Sequence, residues 1–143
     1  MLRILAAFIF FTRLPFWKLA EVPAEYFKNI VSRWALVGWF TAGLMVIVLY
    51  AGSLILPAGI ALTLAMITRL LITGCLHEDG LADFFDGFGG GTSRERILTI
   101  MKDSHIGSYG VIGLICYFGL YYLLLSSLPV ELAGCAIPVS YTH

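Results

Sequence analysis

The chain has 143 residues, of which 59% are hydrophobic and only 13% are charged, and its mean hydropathy is +0.90. Charged residues make up about 25% of typical soluble domains, so this composition excludes an ordinary soluble protein and predicts an integral membrane protein. The formal net charge is zero, with no basic excess that would indicate binding of nucleic acid. The predicted fold class is all-α, a polytopic membrane helix bundle.

The first segment, Met1–Phe11, carries Arg3 followed by an apolar run, which superficially resembles a signal peptide. No small-x-small cleavage site follows, and Arg13 and Lys18 come instead. We therefore predict a short interfacial or re-entrant helix here. The aromatic residues that follow are mixed with Lys and Arg and suit the lipid headgroup layer; they are Phe16, Trp17, Tyr26, Phe27 and Trp34.

The stretch from Trp34 to Thr68 contains no charged residue and is too long for one crossing at about 20 residues per span. Pro57 is the natural break, because proline ends a preceding helix. We predict a first span over about 34–56, a second over about 58–76 and a third over about 109–128. A partial fourth begins at about 130, and all four belong to one membrane domain.

The basic residues predict the orientation of these spans. Five of the nine precede the first span, so the positive-inside rule places the N-terminus in the cytoplasm. Two crossings return the segment from His77 to His105 to that side, and its own basic residues agree with this. We predict a multi-pass protein of the cytoplasmic (inner) membrane, with an acidic loop or helix between spans 2 and 3 facing the cytoplasm.

The segment from His77 to Gly87 contains four of the nine acidic residues. In a helix, Asp79, Asp83 and Asp86 fall at i, i+4 and i+7, so three carboxylates share one face. Like charges repel there unless a cation neutralises them, and Mg²⁺ is a hard cation that takes its remaining ligands from water and substrate phosphates. The alternative is a solvated acidic face at a membrane surface.

Glycines follow the acidic segment and predict a flexible break, after which Thr92-Ser93-Arg94-Glu95 has the capping-box pattern that begins a helix of about 93–102. A glycine-rich turn before a helix can bind phosphate through backbone N–H groups, or can simply permit a tight reversal. Both interpretations stay open. The glycines are Gly87, Gly89, Gly90 and Gly91.

A second polar cluster, Lys102–Gly110, precedes the third span. Asp103 can complete a cation site from across the helical hairpin, whereas ordinary juxtamembrane polarity is the simpler explanation of His105. Arg69 lies inside the second apolar run, where a charge costs at least a few kcal/mol. Contact with substrate and structural pairing with an acid such as Asp79 or Asp83 are both open for Arg69.

Three stretches of the chain resemble the cobalamin synthase family. They are the acidic run from His77 to Gly87 with the glycines after it, the run from Arg94 to Gly110, and the N-terminal Phe11-Thr12-Arg13-Leu14-Pro15. The resemblance extends from Phe8 to about Ser140, which is nearly the whole chain.

The family resembled is that of the adenosylcobinamide-GDP ribazoletransferases, which are Mg²⁺-dependent membrane enzymes of cobalamin (vitamin B12) biosynthesis. The resemblance implies that α-ribazole, or its 5′-phosphate, attacks the cobinamide-linked phosphorus of adenosylcobinamide-GDP. GMP leaves, and the product is adenosylcobalamin or its 5′-phosphate. Such phosphoryl transfer depends on neutralised charge and in-line positioning more than on covalent catalysis.

For that reaction we expect Asp79, Asp83 and Asp86 to hold one or two Mg²⁺ ions, with Asp103 completing the site. One of these carboxylates, or His77, accepts the ribazole hydroxyl proton. Candidate substrate contacts are Arg69, Arg94, Arg96, Lys102 and His105. Arg94, Arg96 and Lys102 can equally be surface charges that set the topology.

Family members continue through several more membrane helices, so we expect this chain to be the N-terminal portion of a longer fold. The expected partners are adenosylcobinamide-GDP, α-ribazole or its 5′-phosphate, and the lipid bilayer, with no nucleic acid. A homo-oligomer and an association with other corrinoid-pathway enzymes both stay open.

Two other classes of protein stay open for this pattern of acidic residues. A CDP-alcohol phosphotransferase uses a similar Asp-rich signature, but it expects Ala-Arg after Asp-Gly and two later Asp residues four apart. Here Ala82 is followed by Asp83, and only Asp103 comes later. A non-catalytic membrane bundle that conducts cations needs acids lining a span, whereas these carboxylates lie outside the apolar runs.

Overall fold

The computed structural model describes residues 1–28 and 30–142, with side chains as far as residue 138. Every regular element within these ranges is helical, which confirms the all-α fold class. Single 3-10 turns occur at Phe16–Lys18, Ala24–Phe27 and Val31–Arg33. The α-helices are α1 (Leu2–Phe11), α2 (Trp34–Ser53), α3 (Ala58–Thr73), α4 (Leu76–Gly90), α5 (Arg94–Ile100), α6 (Ser108–Ser126) and α7 (Val130–Thr142).

Two helical segments in the described part of the chain are long and apolar enough to cross a membrane by themselves, Val31–Ser53 and Ser108–Ser126. They overlap the predicted first and third spans. Helix α3 has only 16 residues, or about 24 Å at 1.5 Å per residue, which is short of the hydrocarbon thickness of about 30 Å. A third span is counted only when α3 and α4 are taken together as one broken segment.

The end of α3 differs from the predicted span over 58–76. Gly74 and Cys75 both adopt left-handed backbone conformations, with φ of 62° and 61°, and they end the helix at Thr73. Glycine takes this conformation readily at a helix C-terminus, whereas a left-handed Cys75 costs about 1–2 kcal/mol. The predicted break at Pro57 is present, because α3 begins directly after that residue.

The chain forms two compact units, and the first comprises Met1–Gly74 with the chain from Leu125 onward. Within it α2 packs against both α3 and α7. A side chain on Gly52 of α2 would place its Cβ only 3.0 Å from the Cβ of Ala61 on α3, so glycine permits a close helix approach here. Met45 and Leu49 are fully buried in this apolar packing.

A smaller apolar cluster holds α1 in the first unit. Ala6 and Ala7 of α1 are fully buried, and with Ile30 and Val37 they form a core against which partly buried aromatic residues pack. The prediction of a helix in the first eleven residues is therefore confirmed as to its helical structure, while its depth in a membrane stays a prediction.

The second unit comprises Cys75–Leu124 and contains α4, α5 and most of α6. The predicted break at the glycines is wrong in position, because α4 continues through Gly90 and only Gly91 is extended. Side chains occupy the space that a Cβ would need: Met101 and Ile97 lie over Gly87, and the Tyr109 ring lies over Gly89. Glycine is therefore used in α4 for close packing rather than for flexibility.

The start of α5 follows a simpler pattern than the predicted capping box. The N-cap is Ser93, whose hydroxyl accepts a hydrogen bond from the backbone N–H of Arg96 at 3.2 Å. The residue three positions after this cap is Arg96 rather than Glu95, so the reciprocal carboxylate bond of a capping box is not available at this register.

Candidate functional site

Helix α4 carries four of the six acidic residues of the second unit, so the acidic segment from His77 to Gly87 is helical. We treat α4 as lying outside the membrane spans, since four acidic side chains would each cost several kcal/mol in hydrocarbon. The helix presents Asp79 as exposed, Asp83 as half-buried and Asp86 as buried. The solvent exposure of the three predicted carboxylates therefore decreases along α4, from Asp79 to Asp86.

The carboxylates of α4 interact electrostatically. The pKa of Asp83 is raised above its usual value of 3.8, first because the group is partly desolvated and then because Asp79 and Asp86 carry like charges. This mutual repulsion means that a cation bound beside Asp79 and Asp83 would relieve an unfavourable interaction already present in the unit.

Asp86 is hydrogen-bonded to the backbone at the start of another helix, α6. Its Oδ2 accepts a hydrogen bond from the N–H of Gly107 at 2.7 Å, and its Oδ1 accepts one from the N–H of Gly110 at 2.8 Å. Gly107 immediately precedes α6, so Asp86 caps the N-terminus of α6 as an N-cap side chain would do, but from 21 to 24 residues away. An ionised carboxylate there also interacts favourably with the helix dipole.

Glycines make this cap sterically feasible. A Cβ on either Gly107 or Gly110 would overlap the Asp86 carboxyl group, and a Cβ on Gly110 would also lie 3.0 Å from the carbonyl oxygen of Ala82. A third glycine, Gly113, faces the ring of Phe85 in the same way. Helices α4 and α6 are therefore joined by one buried carboxylate and a row of glycines.

Asp103 and His105 are hydrogen-bonded to each other on the exposed loop before α6. His105 Nδ1 lies 2.6 Å from Asp103 Oδ1, and the same oxygen accepts the backbone N–H of His105 at 3.1 Å. The hydrogen bonds from His105 lower the pKa of Asp103, and the bond to Asp103 raises the pKa of His105. The two residues predicted as a metal ligand and a substrate contact are thus paired with each other.

The basic candidates occupy different positions. Arg94 and Arg96 on α5 and Lys102 just after it are exposed, as a phosphate contact or a topology-setting charge would be. Arg69 is only 5% exposed on α3, in the first unit. His77 lies exposed in the first turn of α4.

The four predicted metal ligands are not gathered into one site. Among the side chains that the structure describes, at residues 1–28 and 30–138, no group of three or more His, Cys, Asp or Glu has an arrangement that can hold a metal ion. Both oxygens of Asp86 bond to backbone, and Asp103 bonds to His105. Asp79 and Asp83 lie one turn apart on α4, and Mg²⁺ is commonly bound by one or two protein carboxylates together with substrate phosphates. The four-ligand set stays a prediction.

Two residues with structural contacts were missed at the sequence level, one buried and one exposed. Glu78 is 5% exposed, and burial raises the pKa of its carboxyl group. Glu78 directly precedes Asp79 in the sequence, and it lies on the face of α4 that also buries Ala82 and Asp86. A search for buried positions at i, i+4 and i+8 would have selected Glu78.

The other missed residue is Arg13, in the N-terminal motif. Its backbone N–H donates to the carbonyl of Ile72 at 2.7 Å, and its side chain lies against Gly74 at the end of α3. Thr12 beside it is buried and donates to the carbonyl of Phe8 at 2.7 Å. A cation at a helix C-terminus is favourable, so this motif stabilises the end of α3.

Comparison with known proteins gives consistent matches. The model of a family described as cobalamin-5-phosphate synthase matches residues 3–142. Proteins named adenosylcobinamide-GDP ribazoletransferase are similar over 96% of this chain in Shewanella sp. (strain ANA-3), at 44% identity, and in Shewanella putrefaciens, at 45% identity. The same name belongs to a Shewanella oneidensis protein that is 44% identical over 93% of the chain.

The matches cover only part of each relative. The chain spans about half the length of these curated relatives, 54% for the first two and 52% for the third. No solved structure is significantly similar to the chain.

Proposed function

The chain belongs to the cobalamin-5-phosphate synthase family, and from this we propose that it takes part in the ribazoletransferase reaction. In that reaction a hydroxyl oxygen of α-ribazole, or of its 5′-phosphate, forms a bond to the cobinamide-linked phosphorus of adenosylcobinamide-GDP. The bond between this phosphorus and the GMP oxygen breaks, GMP leaves with the electron pair, and adenosylcobalamin or its 5′-phosphate is formed. The names of relatives at 44–45% identity support this assignment.

The observation that carries the proposal is the pair Asp79 and Asp83 on α4. These two carboxylates lie one turn apart on the same helix, and the pKa of Asp83 is raised first by partial desolvation and then by the like charges of Asp79 and Asp86. We propose that this pair holds Mg²⁺ together with the substrate's diphosphate. When bound there, Mg²⁺ would neutralise charge on the diphosphate and on the leaving GMP.

The other predicted residues have supporting roles in this proposal. Asp86 fixes the start of α6 relative to α4, and the Asp103–His105 pair orders the loop between α5 and α6. The exposed cations of this unit, Arg94, Arg96 and Lys102, bind phosphate oxygens, a role that suits the fork geometry of arginine. The general base is one of the α4 carboxylates or His77.

The membrane setting completes the proposal. The apolar segments Val31–Ser53 and Ser108–Ser126 support a multi-pass membrane protein. We propose that α4 and α5 face the cytoplasm, where GDP-activated substrate and Mg²⁺ are available, and that the membrane is the cell inner membrane. The bilayer is then a partner, and a homo-oligomer or an assembly with other corrinoid-pathway enzymes is compatible with this location.

The reaction is tested by measuring GMP release from adenosylcobinamide-GDP with the chain reconstituted in lipid vesicles. We expect GMP only when both α-ribazole 5′-phosphate and Mg²⁺ are present. Asp83→Asn should abolish the release, while Glu95→Gln, which neutralises an exposed acid on α5, should leave it within about twofold because surface substitutions away from special features have small effects. Absence of GMP release by the unaltered chain would contradict the proposal.

A further inference from the structure

An open cavity lies where α1 begins, within the first unit. Its volume is about 470 Å³, and it is lined by Met1, Leu2, Arg3 and Ile4, by Tyr26 of the second 3-10 turn, and by Arg33 of the third. The proposed reaction uses none of these residues. Helix α1 packs against the second and the third 3-10 turn, and Tyr26 packs against the core that includes Ala6 and Ala7, so the walls of the cavity belong to a packed structure.

Two of the six residues that line the cavity are cationic. Arg3 and Arg33 both line it, and no acidic side chain is among its lining residues. Two guanidinium groups facing one space repel each other unless an anion lies between them. Arginine binds phosphate oxygens through two parallel N–H bonds, so two arginines around one cavity form a suitable phosphate site.

The surroundings of the cavity are those of a membrane surface. Arg33 is followed directly by Trp34, which is half exposed at the start of α2 within the candidate span Val31–Ser53. Exposed Trp at the end of a span is typical of the interface between hydrocarbon and water. Helix α1 has 10 residues, about 15 Å in length, and exposes Ile4 and Phe10, so it is too short to cross and apolar enough to lie among acyl chains.

We propose that this cavity binds the phosphate of an anionic phospholipid headgroup, such as that of phosphatidylglycerol, between Arg3 and Arg33. Tyr26 lines the same space, and the lipid's acyl chains extend along the exposed apolar side chains of α1. A water-soluble phosphate compound offers the same charge, but it gains nothing from the apolar residues Met1 and Ile4 at the cavity. The combination of paired cations with an apolar border therefore favours a lipid.

The test is native mass spectrometry of the 143-residue chain released from detergent in the presence of phosphatidylglycerol or phosphatidylcholine. The variant Arg3→Gln with Arg33→Gln removes both cations. The matched control is Lys18→Gln with Lys28→Gln, which removes the same charge from exposed positions of the same segment that do not line the cavity. A second variant, Arg3→Lys with Arg33→Lys, keeps the charge but not the fork, and circular dichroism checks that each protein is helical.

We expect the unaltered chain to retain phosphatidylglycerol at least fivefold more than phosphatidylcholine. The double Gln variant should lose this preference, the double Lys variant should keep part of it, and the Lys18 and Lys28 control should keep all of it. Equal loss in the control, or no loss in the double Gln variant, would overturn the site. Displacement of the lipid by millimolar inorganic phosphate or GDP would overturn the lipid as occupant and assign the cavity to a soluble phosphate compound.

Discussion

The two units hold their helices together by different means. In the first, α2 meets α3 through small apolar residues, with Gly52 against Ala61, and fully buried Met45 lies in the core. In the second, α4 meets α6 through the buried carboxylate of Asp86 and the glycines that admit it. The same helix therefore carries a carboxylate with a structural contact, Asp86, beside the two that we propose as cation ligands, Asp79 and Asp83.

The largest effect should come from removing the cap. Asp86→Ala deletes both acceptors of the Gly107 and Gly110 N–H groups, and two hydrogen bonds to a buried charge predict a loss of roughly 3 kcal/mol of unfolding free energy. Thermal unfolding of the detergent-solubilised chain measures it. The control is Asp79→Ala, an exposed position on the same helix. Equal melting temperatures for the two variants would show that Asp86 does not hold α6.

A methyl group at the glycine contact should have the next largest effect. Gly110→Ala places a Cβ against the Asp86 carboxyl group, and overpacking of this kind costs about 2 kcal/mol. Gly119→Ala on the same helix meets nothing within 4 Å and should stabilise α6 slightly, since alanine is the better helix former.

A double-mutant cycle identifies the contact itself. Because Gly110→Ala and Asp86→Ala disturb the same contact, the combined variant should lose less stability than the sum of the two single losses. Strict additivity in the cycle would mean that the alanine methyl group is tolerated by movement elsewhere.

A smaller effect is expected in the apolar unit. Gly52→Ala brings two Cβ atoms to 3.0 Å across the α2–α3 contact and should cost about 1 kcal/mol, at the lower end of overpacking costs. Gly43→Ala, also on α2 and free of neighbours within 4 Å, is the control and should be neutral or stabilising. Chemical denaturation of both variants in detergent provides the comparison. If Gly43→Ala were the more harmful variant, the close approach at Gly52 would be refuted.

The smallest effect concerns the exposed pair before α6. The pKa of His105 is raised above 6.5 by Asp103, so its share of stability is present at low pH and is lost as pH rises through that raised value. The pKa of Asp103 is lowered below 3.8, so its share is lost as pH falls through that lower value. Asp103→Asn should therefore lower the His105 pKa in an NMR titration, with His105→Gln assigning the resonance. An unchanged pKa would show that the pair does not form.

The sequence predicted those features that depend on neighbours along the chain. Apolar runs located the helices, Pro57 marked the break before α3, and spacing placed the acids on one helix. The capping pattern was less accurate where two neighbouring residues could each be the N-cap. The N-cap of α5 is Ser93 rather than Thr92.

Features that depend on distant residues were beyond such reasoning. Asp86 bonds to backbone 21 and 24 residues away, and no periodicity links an acid to the start of a helix that far along the chain. The glycines of α4 were interpreted as flexible because glycine is usually a helix breaker, whereas Met101 and Tyr109 occupy the space beside them. Packing partners, and not propensity, decided both features.

The most direct test of the division of duties on α4 is Mn²⁺ binding measured by EPR, with and without adenosylcobinamide-GDP, alongside thermal unfolding. Asp83→Asn and Asp86→Asn are compared with Glu95→Gln as the control. The account predicts that Asp83→Asn loses Mn²⁺ binding while unfolding no earlier than the unaltered chain, because the substitution removes a like-charge repulsion, and that Asp86→Asn unfolds earlier but still binds Mn²⁺ below its unfolding temperature. Mn²⁺ binding that survives Asp83→Asn and disappears with Asp86→Asn in the folded protein would contradict it.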